Sequence, residues 1–140
     1  MIGWAARRID EVPRVTDGEP GDPDWHPLQH FFGLTSFGAN VFVATEGDQT
    51  LVAEHDERAS GQQELYVVLE GEVDFELAGE HVRAEGGTII AVSDPAVKRR
   101  AVARVAGTTL LAIGASEGTF STTWMESHFE NVPRADTAAD

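Results

Sequence analysis

The chain has 140 residues, 41% of them apolar, with no cysteine and a formal net charge of −14. That length suits one domain with a real core. The lack of thiols excludes disulfides, thiolate nucleophiles and thiolate metal sites, and the acidity opposes a phosphate backbone, so DNA or RNA is not an expected partner. No apolar run approaches the roughly 20 residues of a membrane helix. The first residues carry their charges after the apolar ones, unlike a secretory signal. The expected location is the cytoplasm.

In chain order, residues 4–9 suggest a first edge strand. Residues 17–27 contain Gly18, Pro20, Gly21, Pro23 and Pro27, and read as a loop or arm. Trp25 and the pair Phe31-Phe32 would pin that arm to its own barrel or to a partner subunit. Residues 37–45 form a strand with Val41 and Val43 on one face and Phe42 and Ala44 on the other. A turn at Gly47-Asp48 leads into a strand over 50–55 and a polar loop over 56–63.

Residues 64–70 are apolar, rich in Val and closed by Gly71, the signature of a well-buried strand. Residues 72–77 alternate cleanly. Val73, Phe75 and Leu77 share a buried face, while Asp74 and Glu76 share a wet one. The short connection through Gly71 implies a hairpin that makes these two strands antiparallel neighbours. A turn at 78–80, a short strand at 81–84 and a turn at Gly86-Gly87 follow. The β-branched run 88–92 is expected to be buried on both faces. Strands over 98–105 and 108–113 complete the set. Residues 122–131 suggest a terminal helix or arm, and 135–140 a frayed end. Short strands at regular spacing, with no convincing helix, predict an all-β sandwich or barrel.

Glu64, followed after six residues by Gly71, resembles the second half of the first cupin motif, in which paired histidines precede a glutamate and a glycine. Gly79, followed by Glu85-Gly86-Gly87, is similar to the start of the second motif, with Glu85 in place of the usual proline. The resemblance spans residues 41–114. It implies a cupin-type double-stranded β-helix, a jelly-roll barrel, over 37–116. An N-terminal strand with a Pro/Gly-rich arm (1–36) and a C-terminal extension (117–140) would flank it. It also implies a homodimer, because small cupins commonly pair through edge strands and swapped arms.

Cupins usually hold a metal with two histidines and the glutamate of the first motif and a histidine of the second. Here Glu64 matches the glutamate and His55 the first histidine. Glu57 stands where the second histidine would be, with Gln62 and Gln63 beside Glu64. Imidazole and carboxylate suit divalent iron, manganese, nickel or zinc, with an open position for substrate. Counting from Gly87, the remaining histidine slot falls on Lys98, whose ammonium has no lone pair and would repel the ion.

Two functional readings follow. One is a metal-dependent dioxygenase or isomerase using His55, Glu57 and Glu64. The other, which we prefer, is a barrel that binds a small organic ligand without a firmly held metal. In it Lys98 points inward and pairs with Glu64 or Glu57, while Gln62 and Tyr66 also face the ligand. Lys98 and Arg100 share a strand face and Arg99 lies on the other, so Lys98 with Arg100 would form an anion clamp. The same residues on an exposed edge would simply discourage aggregation. Buried tyrosines such as Tyr66 are more often structural. His26 and His30 read as packing residues, His81 as exposed and His128 as part of the tail. A third reading is an interaction module with a vestigial pocket.

Overall fold

A computed structural model describes residues 3–122 and 126–135. The described strands are β1 (Asp24–Pro27), β2 (Gly38–Val43), β3 (Gln49–His55), β4 (Gln62–Glu70), β5 (Glu72–Leu77), β6 (Glu80–Glu85), β7 (Ile89–Val92), β8 (Arg99–Ala103) and β9 (Thr109–Ser116). They form two antiparallel sheets in the orders β1-β2-β9-β4-β7 and β3-β8-β5-β6. This is a two-layer jelly roll. Each sheet buries its inner face, and the period of two along each strand decides which side chains enter.

The core follows from that alternation. Tyr66, Val68, Leu110 and Ala112 meet Val73, Phe75, Ala101 and Ala103 between the layers. The Tyr66 and Phe75 rings lie 5.7 Å apart. Strand β5 puts Val73 and Phe75 inside and Asp74 and Glu76 toward solvent, as its patterning predicts.

Four expectations are corrected. First, Gly71 is not the turn of a hairpin: β4 and β5 lie in different sheets, and the chain switches layers there. Gly71 has φ 82°, and a Cβ on it would stand 2.8 Å from the Thr108 Cα. Only glycine tolerates both that backbone and that approach. The strand after β6 takes the place expected for β5, since Gly86 N–H donates to the Gly71 carbonyl at 3.0 Å and Gly87 N–H to the Val68 carbonyl at 2.7 Å.

Second, β7 is not buried on both faces, and the well-buried strand β4 also leaves one face outside. Leu65, Leu69 and Ile89 are 37%, 44% and 60% exposed. A sheet in a two-layer fold has only one inner side, so an all-apolar run leaves half its side chains outside.

Third, residues 4–9 form no strand, and a short 3-10 helix spans Ile9–Glu11. Fourth, the Pro-rich segment supplies β1 and a five-residue helix, α1 (Leu28–Phe32), closed by Gly33 at φ 69°. This segment is pinned to its own barrel. Trp25 Nε1 donates to Asn40 Oδ1 at 2.8 Å, and His26 Nδ1 lies 2.7 Å from the Val12 carbonyl, with both His26 and Val12 buried.

Near the C-terminus a 3-10 helix spans Glu126–Phe129. The rest of the expected terminal helix falls partly outside the described residues, as does the expected frayed end at 135–140, of which only residue 135 is described. No helix among the described residues is long and apolar enough to cross a membrane.

Candidate functional site

On β4 the period of two aims Gln62, Glu64 and Tyr66 at the interior. Glu64 is directly paired with Gly114 of β9. A Cβ at Gly114 would lie 3.1 Å from Glu64 Cγ and 3.0 Å from Gln62 Oε1, so the missing side chain is what leaves these two room. From the opposite sheet, irregular pairing along β3 brings His55 opposite Arg99 of β8. On β8, Arg99, Ala101 and Ala103 all point inward.

These residues converge on one cluster. Arg99 is 1% exposed, and its Nη1 donates to Glu64 Oε1 at 2.6 Å. The rest of the guanidinium is engaged as well. Nε and Nη2 donate to the Val97 carbonyl at 3.0 and 2.8 Å, and Nη2 reaches the Pro95 carbonyl at 3.5 Å. The Tyr66 hydroxyl donates to the same Glu64 Oε1 at 2.7 Å. Burial, and then the adjacent Glu64 carboxylate, hold the Tyr66 phenol far above its ordinary pKa, so it acts as a hydrogen-bond donor at every physiological pH.

His55 Nε2 lies 2.9 Å from Glu57 Oε1 and 3.9 Å from Glu64 Oε1. Its Nδ1 lies 2.8 Å from the Ala53 carbonyl. The ring thus has an oxygen partner at each nitrogen. Glu57 Oε2 accepts from Ser60 Oγ at 2.6 Å, and Glu57 N–H donates to the Pro95 carbonyl at 2.8 Å. The polar loop is thereby tied to the turn that also holds Arg99.

One donor atom each from His55, Glu57 and Glu64 lies within 4.8 Å of the others, a group that could hold a metal ion. Arg99 stands against a resident one. Its guanidinium and the Tyr66 hydroxyl already occupy Glu64 Oε1, the oxygen nearest His55. A divalent ion about 4 Å from the guanidinium would meet a repulsion of roughly 8 kcal/mol at an effective dielectric of 20. The set therefore fits a metal poorly while Arg99 is in place.

The anion clamp expected from Lys98 and Arg100 is corrected. Lys98 is exposed and lines an outer hollow with Glu54, Arg58 and Asp94. Arg100 faces outward and pairs in register with Glu76. Lys98 does not project into the enclosure with Glu64, and Arg99 does. The parity was readable. Residues 98, 100 and 104 are basic, whereas 99 shares its face with Ala101 and Ala103, the small apolar residues of a packed interior. Sequence reasoning also missed Gly114, for which the sequence carries no motif, and Ser60.

Beside the cluster is a cavity of about 350 Å³, with Phe42, Leu51, Val52 and Ala112 as apolar wall and Asn40, His55, Glu64 and Tyr66 as polar wall. Of the expected ligand contacts, Glu64 and Tyr66 line it, and Gln62 sits on the same strand face next to Glu64. His30 and His81 are exposed and stand apart from it.

No protein-family model matches this sequence, and no curated protein matches it. Solved structures do. A cupin protein from Bacteroides fragilis aligns with a TM-score of 0.68 at 18% identity, over 89% of this chain and 93% of that one. A sugar phosphate isomerase from a cupin superfamily of Silicibacter pomeroyi aligns at 0.64 and 20% identity, over 79% and 75%. A Cupin 2 conserved barrel domain protein from Salinispora arenicola aligns at 0.60 and 13% identity, over 83% and 92%. At these identities the likeness is one of fold.

Proposed function

We propose that this chain, a barrel of the cupin fold, binds a small organic molecule in the inner cavity, with Arg99 in the place where a metal's charge would otherwise sit. The observation that carries this reading is the buried Arg99–Glu64 contact at 2.6 Å. It satisfies the Glu64 carboxylate with a protein cation and makes a closed polar wall. The hydrogens of Arg99 are directed to Glu64, Val97 and Pro95. The wall therefore offers a ligand mainly the Glu64 carboxylate, with the Asn40 amide and the His55 ring beside it. A molecule with hydroxyl or amino hydrogens at one end and an apolar body for Phe42, Leu51, Val52 and Ala112 matches it. The similarity to a sugar phosphate isomerase supports a hydroxylated ligand.

Ligand-observed NMR with small polyols and amino alcohols tests the reading. Ala112→Phe fills the cavity from an inner position and should abolish binding, and Glu64→Gln should weaken it. Binding that survives both substitutions, or no binding to the parent protein, would overturn it.

A second reading is a catalytic iron, manganese, nickel or zinc ion on His55, Glu57 and Glu64, as in a cupin dioxygenase or isomerase. The convergence of three donor atoms favours it. Metal content of tag-free protein, compared with His55→Ala, separates the two.

A further inference from the structure

A second cavity, of about 400 Å³, opens between the sheet edges at β1 and β3. Phe42, Leu51 and Ala53 line both it and the inner cavity, so the two chambers adjoin. Its walls differ in kind from those of the inner one. Trp25 and Phe42 present an aromatic surface, their ring centroids 6.2 Å apart at 30°. Trp25 remains 41% exposed although its Nε1 is anchored on Asn40. The charged side chains that line this chamber are all carboxylates: Asp22, Glu46 and Asp48. No cation is among its lining residues: Arg104, within electrostatic reach of Asp48, donates to Asp74 at 2.7 Å, and Arg14 donates to Asp24 at 2.7 Å.

Asp22 is committed to the arm, where it accepts the Glu19 N–H at 2.8 Å. The chamber is also held open by a built contact. Gln49 is 4% exposed and donates to the Gly21 carbonyl and to Thr45 Oγ1, both at 2.9 Å. This fixes the arm over the opening.

An electron-rich aromatic face beside carboxylates, with no cation in the lining, suits an ammonium group: the ring quadrupole and the anions attract the same charge. A neutral group can hydrogen-bond to the carboxylates or pack on the rings but gains no attraction between charges, and an anionic group is repelled. We propose that the outer chamber selects organic cations, so that the ligand of this barrel is an amine or quaternary ammonium compound whose cationic end lies against Trp25 and Phe42 and whose body reaches past Phe42 toward Glu64. This rests on the ligand-binding reading above and narrows it to a chemical class.

The test uses choline and its uncharged isostere 3,3-dimethyl-1-butanol as probes, titrated into the full chain by ligand-observed NMR. Choline should bind about tenfold or more tightly than the isostere. The double substitution Glu46→Gln with Asp48→Asn should cut that preference at least about threefold and leave the isostere unchanged. Asp48 has φ 53°, a conformation asparagine also accepts, so the variant keeps the turn. Trp25→Leu should weaken choline by roughly 2- to 30-fold, the range of a cation–π contact.

Equal affinity for the two probes overturns the inference, as does a choline preference indifferent to both variants, or no choline binding. Each of these leaves the inner-cavity reading standing if polyols still bind and Ala112→Phe still removes them. If Ala112→Phe leaves polyol binding intact, that reading fails separately.

Discussion

Replacing Arg99 by Met keeps an unbranched apolar stem, shorter than the arginine, and removes its charge. Three contacts go at once: the Glu64 pair at 2.6 Å and the hydrogen bonds to the Val97 and Pro95 carbonyls. Arg99 is 1% exposed on its side chain and Glu64 14%, so the abandoned carboxylate cannot be fully rehydrated. Breaking a buried pair by removing one partner costs about 3–5 kcal/mol. The cavity beside Glu64 admits some water, which places the loss near the low end, about 3 kcal/mol, or roughly 10 °C in Tm for a domain of this size. Glu64→Gln alone should cost about 2 kcal/mol by stranding the guanidinium. The double variant has no unpaired charge, and its loss should fall short of the summed single losses by at least about 1.5 kcal/mol. Urea unfolding of the three variants and the parent measures this coupling. Additive losses, within about 0.5 kcal/mol, would refute the claim that the two groups compensate each other's burial.

Gly71→Ala should destabilise by more than about 2 kcal/mol, since it adds a clash with the Thr108 backbone to the positive-φ penalty. Gly33→Ala, at φ 69° with nothing within 4 Å, is its control and should cost only about 1 kcal/mol by thermal unfolding. Gly114→Val drives a side chain into Glu64 and Gln62 and should abolish ligand binding at a cost of about 1–3 kcal/mol in stability, read by NMR titration and urea unfolding together. The Arg104 guanidinium, aided by Arg83, holds the Asp74 carboxyl below its ordinary 3.8. A depressed carboxyl adds stability above that pH and loses it as the pH falls through the folded-state value. Asp74→Asn should therefore flatten the decline in stability below about pH 4, by under about 1 kcal/mol because the pair is largely solvated. A decline as steep as the parent's would assign the acid sensitivity elsewhere.

The barrel was legible because its signals are local. The alternation of β5, the glycines at turns and the spacing of Glu64 from Gly71 each reflect a constraint within a few residues. What the sequence could not show was which strand pairs with which. Gly71 looks like a hairpin glycine, and its conformation fits one. Only the approach of Thr108, 37 residues away, makes it a switch between layers. The same non-local pairing decided the site. His55, Glu57 and Glu64 were legible through the resemblance to the first cupin motif, and they do meet. Their cationic partner was misplaced by one residue, and in a strand one residue reverses the face. Lys98 thus lies outside and Arg99 inside. The acidic, aromatic mouth draws Asp22 and Trp25 from the arm, Phe42 from β2, and Glu46 and Asp48 from the turn before β3, so no single stretch of sequence contains it.

The most direct test of the account is the metal content of tag-free protein, parent and Arg99→His, after equilibration with manganese, nickel and zinc and removal of free ion. With a guanidinium on Glu64, the parent should retain well under one equivalent. Arg99→His, which supplies a fourth donor and removes the charge, should retain about one, and lose it again with His55→Ala. One equivalent held firmly by the parent and released by His55→Ala would contradict the assignment of Arg99 to the metal's place.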